Sequence, residues 1–288
     1  MALKIDKVGV VGCGLMGSGI AQVAAGAGLS TVVVEVDEGR LKEGIARIDS
    51  FLGKGVERGK LTADEKRTLL SRIEATTSLE KLSDVDIVIE AVVEDVAVKK
   101  ELFSKLDAVL SAKAIRCSNT SSLCITEIAA ATKHPDRFLG LHFFNPVPLM
   151  KVVEVIPGLA TSPDITGAVQ GFAQSLGKTP VVAPDRPGFI VNRLLVPYMN
   201  DAIRALEEGV ATKEDIDAGM KLGCGHPMGP FELLDFVGLD TAYYIANIMF
   251  DEFREKRFAP PPLLRRMVLA GRLGRKTGRG FYDYSGGE

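Results

Sequence analysis

The first residues able to do chemistry are glycines. Gly12-Cys13-Gly14-Leu15-Met16-Gly17 spells G-x-G-x-x-G between the apolar run Val8–Val11 and the helix-forming stretch Ser18-Gly-Ile-Ala-Gln-Val. In a strand–turn–helix, the first glycine permits the tight turn. The second lets the backbone approach a pyrophosphate, and the third lets the helix pack on the strand. The free N–H groups where the helix begins, at Leu15, Met16 and Gly17, then favour the anion. An acid about 20 residues further on is expected at the ribose hydroxyls. The second apolar run ends at Val34, so Glu35 takes that role and Asp37 reads as the cap of the following helix. A carboxylate there repels a 2′-phosphate, which favours NAD over NADP.

A second group centres on His142, at the end of the apolar run Phe138-Leu-Gly-Leu-His-Phe. Taken alone, a hydrogen-bonded core histidine is the plainer reading. Its surroundings change that. Glu154 lies in Lys151-Val-Val-Glu-Val-Ile156, and Asn145-Pro-Val-Pro148 turns the chain between the two runs, so Glu154 returns beside His142. A buried carboxylate fixes the imidazole tautomer and strengthens it as a general base. A third group, Ser118-Asn-Thr-Ser-Ser122, follows the strand-like run at Ile115 and offers hydroxyls and an amide to an oxygen substrate. A turn that caps a helix over 125–131 explains the same residues equally well. His134, in a polar turn, and His226, in a loop before a helix, read as solvated or capping side chains.

Other chemistries lack their residues. The chain has no G-x-S-x-G elbow, no His-Glu-x-x-His or clustered Cys/His, and no G-x-x-x-x-G-K-[ST] loop. Nicotinamide redox chemistry with an acid–base histidine uses all three groups.

The elements that must position these residues alternate in type. Val8–Val11, Thr31–Val36, Asp86–Ala91 and Ala114–Cys117 read as buried parallel strands. Helices are expected over Met16–Ala27, Glu38–Val56, Val98–Leu110, and from a capping box at Thr62–Glu65 through about Leu70. Such alternation implies βαβ units and an α/β, Rossmann-type doubly wound sheet. After the turn-rich Ala183-Pro-Asp-Arg-Pro-Gly188 the pattern turns helical, over Phe189–Glu208, Lys213–Leu222, Pro230–Lys256 and Pro262–Ala270, with no strand expected until Phe281-Tyr282. Two domains follow: 1–185, α/β and dinucleotide-binding, and 186–288, all-helical.

The 288 residues carry 35 basic and 37 acidic side chains, a net charge of −2, which gives no electrostatic reason to expect nucleic acid or an anionic membrane as partner. No apolar run is long enough for a membrane helix, and the first residues lead straight into a strand, so no signal peptide is expected. The four cysteines form no C-x-x-C pair, which suits reduced thiols and a cytoplasmic location.

Taken together, the motifs resemble those of the L-3-hydroxyacyl-CoA dehydrogenase family. The matching pieces are the Gly12–Gln22 fingerprint, Ile89-Glu-Ala-Val-Val-Glu94, Ser118-Asn-Thr-Ser-Ser-Leu123, Leu141-His-Phe-Phe-Asn-Pro146, Met150-Lys-Val-Val-Glu-Val155, Pro187-Gly-Phe-Ile-Val-Asn-Arg193, Asp215-Ile-Asp217, His226-Pro-Met-Gly-Pro-Phe-Glu232 and Gly274-Arg-Lys-Thr-Gly-Arg-Gly-Phe-Tyr282. The resemblance implies NAD-dependent interconversion of (S)-3-hydroxyacyl-CoA and 3-ketoacyl-CoA, short chains favoured, by a homodimer whose helical domain binds substrate and dimerises. It implies that His142 is the general acid–base, paired with Glu154. Ser121 would hydrogen-bond the substrate oxygen and Asn192 would orient the substrate. Glu94, Lys99 and Asn119 fall at cofactor-contacting positions, and Lys54 and Arg58 at the CoA phosphates. Arg58 stands where lysine is usual, and Glu35 where aspartate is usual. From the residues alone, Lys54 and Arg58 are equally a solvated helix face, and Asn192 a helix cap. The competing readings are a dehydrogenase of free 3-hydroxy sugar acids, and a dinucleotide-binding protein without turnover.

Overall fold

The computed structural model describes residues 4–286. The chain divides into two compact units, Met1–Asp185 and Arg186–Glu288.

Unit 1 is built on one eight-stranded sheet. Its strands are β1 (Lys7–Val11), β2 (Ser30–Val34), β3 (Ile73–Thr76), β4 (Ile87–Glu90), β5 (Ile115–Ser118), β6 (Phe138–Phe143), β7 (Val152–Pro157) and β8 (Thr179–Val182). Its helices are α1 (Leu15–Gly26), α2 (Glu38–Glu57), α3 (Ala63–Leu70), α4 (Val96–Val109), α5 (Ile125–Ala129) and α6 (Pro163–Ser175). The strand order β3-β2-β1-β4-β5-β6-β7-β8 is parallel except at β6–β7. This is the doubly wound, Rossmann-type α/β sheet. The order reverses between β1 and β4, and such a switch point leaves a crevice at the carboxyl ends of the strands where ligands bind. Val8, Val10, Val33, Ile87 and Ile89 are fully buried, as strands covered on both faces require.

Local signals do what the sequence leads one to expect. Asp37 accepts a hydrogen bond from Arg40 N at 2.8 Å and caps α2. Thr62 and Glu65 form a complete capping box on α3. Three elements carried no clear signal. β3 and β8 are edge strands, half-exposed, and Pro180 lies within β8. α6 follows Pro163 at its first turn. One alternative falls away: Ser118–Ser122 does not cap the next helix. The carboxylate of Asp185, 60 residues on, accepts from Ile125 N at 2.8 Å and Thr126 N at 2.7 Å and does that work.

Unit 2 contains α7 (Val191–Glu207), α8 (Lys213–Cys224), α9 (Pro230–Val237), α10 (Leu239–Phe253) and α11 (Pro262–Leu269). The single helix expected over 230–256 is broken at Gly238, whose φ of 100° ends α9 and starts α10. No strand forms among the described residues of this unit. Phe281–Tyr282 lies in a segment whose strand-type pairing is limited, among the described residues, to the isolated bridges Gly274–Arg279 and Arg279–Asp283. Two buried aspartates fix that segment. Asp235 accepts from Phe281 N and Tyr282 N, both at 2.8 Å, and from the Tyr284 hydroxyl at 3.1 Å. Asp217 accepts from Phe231 N at 2.8 Å and the Tyr282 hydroxyl at 2.9 Å. A Cβ on Gly280 would overlap the Asp235 carboxylate and one on Gly274 the Asp235 carbonyl, so these two glycines serve packing. Met199, Ile203, Leu234 and Ile245 lie in this unit's own core. The apolar residues it exposes include Leu194, Val210, Leu222 and Leu269.

Candidate active site

The fingerprint loop follows β1. Gly12 has φ 95°, and its N–H donates to the Val34 carbonyl at 2.8 Å, tying the turn to β2. A Cβ there would stand 2.6 Å from the Ala91 carbonyl oxygen, and one on Gly17 would overlap the Gly12 carbonyl. Both glycines are demanded by the fold. Gly14 differs: a Cβ on it meets nothing within 4 Å. It is exposed and forms the N-cap of α1, with no side chain capping the helix. Open space at an uncapped helix start is what an anion needs.

A cavity of about 840 Å³ opens there, lined by Gly12, Gly14, Leu15, Met16 and Glu35, and also by Arg40 and Arg47. Glu35 anchors the loop, its carboxylate accepting from Cys13 N at 2.8 Å and Val36 N at 2.7 Å. Each carboxylate oxygen has a second lone pair for a hydroxyl donor. Burial, then the charge of Glu35, pushes the Cys13 thiol up to about 11, so it stays neutral at working pH. Among the described residues no cluster of three metal-binding side chains occurs, and no helix is long and apolar enough to cross a membrane. The shape, the uncapped helix and the acid on β2's end fit an NAD dinucleotide.

The second assembly lies at the carboxyl ends of β5 and β6. Antiparallel pairing sets His142 opposite Glu154, and Nδ1 lies 2.7 Å from Glu154 Oε2. His142 is 4% exposed and Glu154 is fully buried. The carboxylate accepts, so the proton resides on Nδ1, and Nε2 is the nitrogen through which such a ring exchanges protons. The Phe144 ring stands 4.6 Å from the imidazole, centroid to centroid.

A hydrogen-bonded network joins the remaining residues of this unit. Asn119 Oδ1 accepts from Phe143 N at 2.9 Å, linking the end of β5 to the residue after His142. Glu94 Oε1 accepts from the Thr120 hydroxyl at 2.6 Å and Ser121 N at 2.8 Å. Lys99, 1% exposed, bridges Glu90 at 2.6 Å and Glu94 at 3.3 Å. Ser118 Oγ donates to Glu90 at 2.6 Å. Sequence reasoning missed Glu90 and Thr120 as organisers. An acid ending an apolar strand, nine positions before a lysine on the next helix, was the available signal.

The structure thus brings Asn119, Ser121, Glu94 and Lys99 into one network that reaches the strand of His142. Gly12, Gly14, Leu15, Met16, Gly17 and Glu35 gather at the fingerprint. Lys54 and Arg58, at the C-terminal end of α2, are exposed and do not line the cavity. Asn192 is the second residue of α7 in unit 2 and is half-buried.

Residues 7–186 match the family model described as 3-hydroxyacyl-CoA dehydrogenase, NAD binding domain, and residues 188–284 match that of the same family's C-terminal domain. The chain is 51% identical over 286 residues to a 3-hydroxybutyryl-CoA dehydrogenase of Bradyrhizobium diazoefficiens, covering 99% of this chain and 98% of that one. It is 47% identical to the mitochondrial hydroxyacyl-coenzyme A dehydrogenase of Sus scrofa, covering 98% of this chain and 92% of that one. The crystal structure of (S)-3-hydroxybutyryl-CoA dehydrogenase PaaH1 from Ralstonia eutropha superposes with a TM-score of 0.95 at 46% identity, covering 98% of this chain and all of that one.

Proposed function

The chain belongs to the 3-hydroxyacyl-CoA dehydrogenase family, and from that premise we propose that it interconverts (S)-3-hydroxybutyryl-CoA and acetoacetyl-CoA with NAD(H). The observation that carries the chemistry is the buried His142–Glu154 pair at the carboxyl end of β6.

When bound, NADH supplies the hydride that reduces C3 of the 3-ketoacyl thioester. His142 enters that direction as imidazolium, with Glu154 holding Nδ1–H and offsetting the charge. Its Nε2 proton passes to the C3 oxygen as negative charge develops there, and the ring ends neutral. In oxidation Nε2 takes the 3-hydroxyl proton while the hydride leaves C3. A positioned acid–base of this kind contributes about 10²–10⁴-fold. Ser121 donates its hydroxyl to the same oxygen. Glu94 accepts from the Ser121 backbone N–H, and Lys99 and Thr120 hold Glu94, so this network orients both Ser121 and the cofactor. Asn119, held by its bond to Phe143 N, would lie beside the nicotinamide. Glu35 accepts from the ribose hydroxyls and repels a 2′-phosphate. Lys54 and Arg58 hold the CoA phosphates from the exposed end of α2, and the amide of Asn192 orients the acyl chain.

The enzyme works in the cytoplasm as a homodimer. The support for a dimer is the apolar surface of unit 2, where Leu194, Leu222 and Leu269 are each more than 70% exposed. Sedimentation at micromolar protein tests this, and a stable monomer would refute it.

Loss of NADH absorbance with acetoacetyl-CoA tests the reaction. Turnover with acetoacetyl-CoA, and a higher kcat/KM with NADH than with NADPH, is the expected result. Turnover with free 3-hydroxy sugar acids but not CoA thioesters would overturn the substrate assignment, and an NADPH preference would overturn the role of Glu35.

A further inference from the structure

The loop over residues 144–151 joins the strand of His142 to the strand of Glu154. It is pinned at two places. Val147 is 2% exposed, and a Cβ on Gly19 of α1 would stand 2.8 Å from Val147 Cβ, so the loop packs directly on the helix that begins the dinucleotide site. Its other anchor is Lys178, the residue before β8. The Lys178 ammonium donates to the Val147 carbonyl at 2.6 Å and to the Met150 carbonyl at 2.8 Å. Between those points Pro146 O accepts from Leu149 N at 2.9 Å and Met150 N at 3.0 Å, closing a turn.

Lys178 is 8% exposed, and no carboxylate among the described residues pairs with it. A buried cation without a counter-ion costs free energy that an apolar side chain would not. Burial accordingly pushes its amine below the usual lysine range. What the ammonium supplies is two directed donors into one loop, which an apolar side chain cannot.

We propose that Lys178 is a positioning residue for proton transfer: by holding the 144–151 loop against α1 it fixes the spacing between the dinucleotide-binding helix and the His142–Glu154 pair. This rests on the assignment of that pair as the acid–base. Hydride and proton must reach the same carbonyl group, and a displacement near 1 Å is enough to cost about 10²-fold in rate.

The test compares Lys178→Met, which keeps the apolar stem and removes both donors, with Lys178→Arg, which retains donors. Lys178→Met should lower kcat by about 10–100-fold with KM for NADH unchanged. The primary isotope effect with 4-deuterated NADH should rise, and in the protein without cofactor the Leu149 and Met150 amides should exchange faster. Lys178→Arg should recover part of each. Should Lys178→Met fail to fold, Gly19→Ala presses on Val147 from the other anchor and should give the same lower kcat and faster exchange. An unchanged kcat in a folded Lys178→Met or Gly19→Ala variant overturns the proposal, as does a kcat loss that arginine does not relieve. The unmodified protein with acetoacetyl-CoA is the first arm. No turnover there defeats the functional assignment itself, whereas turnover there with an unaffected Lys178→Met defeats only the role of Lys178.

Discussion

The two units bury polar side chains for different ends. In unit 2, Asp217 and Asp235 are at most 2% exposed, and their partners are backbone N–H groups and tyrosine hydroxyls of a single segment, residues 281–284, and of the start of α9. Burial and the Asp217 carboxylate push the Tyr282 hydroxyl far above its usual range, so it remains a fixed donor. In unit 1 the buried groups of the candidate site are bonded to other ionisable groups: His142 to Glu154, and Lys99 to Glu90 and Glu94. These gather where β4, β5 and β6 end, on the edge that an α/β sheet opens to ligands. Burial by itself therefore does not mark chemistry. A buried ionisable group bonded to another, at a ligand-accessible edge, does.

Substitutions can break or sharpen that contrast. The largest effect is expected within unit 1 from Gly17→Ala, whose Cβ would overlap the Gly12 carbonyl, a backbone group that cannot swing aside. Melting and NADH titration should show a lower Tm and no binding. Gly14→Ala, with open space around its Cβ, should keep the parent Tm and lose NADH affinity alone. Equal behaviour of the two variants would mean that the uncapped start of α1 is not the pyrophosphate site. Next comes Asp235→Ala, which strands two backbone N–H groups and a hydroxyl and should cost about 2–5 kcal/mol of stability, read as a fall in denaturant midpoint, with NADH affinity retained. Unchanged stability with lost turnover would move Asp235 from structure into chemistry. The smallest effect concerns thiols. Cys224 is exposed and should react first with an alkylating reagent, whereas Cys13 and Cys117 are buried and should react only after unfolding. The Cys13 thiol, pushed up to about 11 by burial and then by Glu35, should react slowly at neutral pH even though it lies in the fingerprint loop.

Much of unit 1 was legible because its signals are local. The glycine fingerprint, the Asp37 cap and the Thr62–Glu65 box each lie within a few residues of what they organise, and the valine-rich strands have both faces covered. The His142–Glu154 pairing was legible for a related reason, a short Pro-containing turn between two apolar runs. What escaped notice depends on distance in the chain. Asp185 caps α5 from 60 residues away, and Lys178 reaches a loop some 30 residues earlier, where a lone lysine ordinarily reads as surface. The break at Gly238 was hidden because the apolar pattern continues across it; only a φ of 100° there reveals two helices. The basic Gly274–Gly280 segment offered no mechanism until Asp235 was found beneath it.

His142 as the proton carrier is tested most directly by steady-state NADH oxidation with acetoacetyl-CoA on His142→Gln, using protein shown to bind NADH. Glutamine keeps a polar side chain of similar reach and cannot exchange a proton at the ring nitrogen. The expected result is a kcat lower by about 10²–10⁴-fold with NADH affinity retained. A kcat within a few-fold of the parent, or NADH binding lost while kcat is retained, would contradict the assignment.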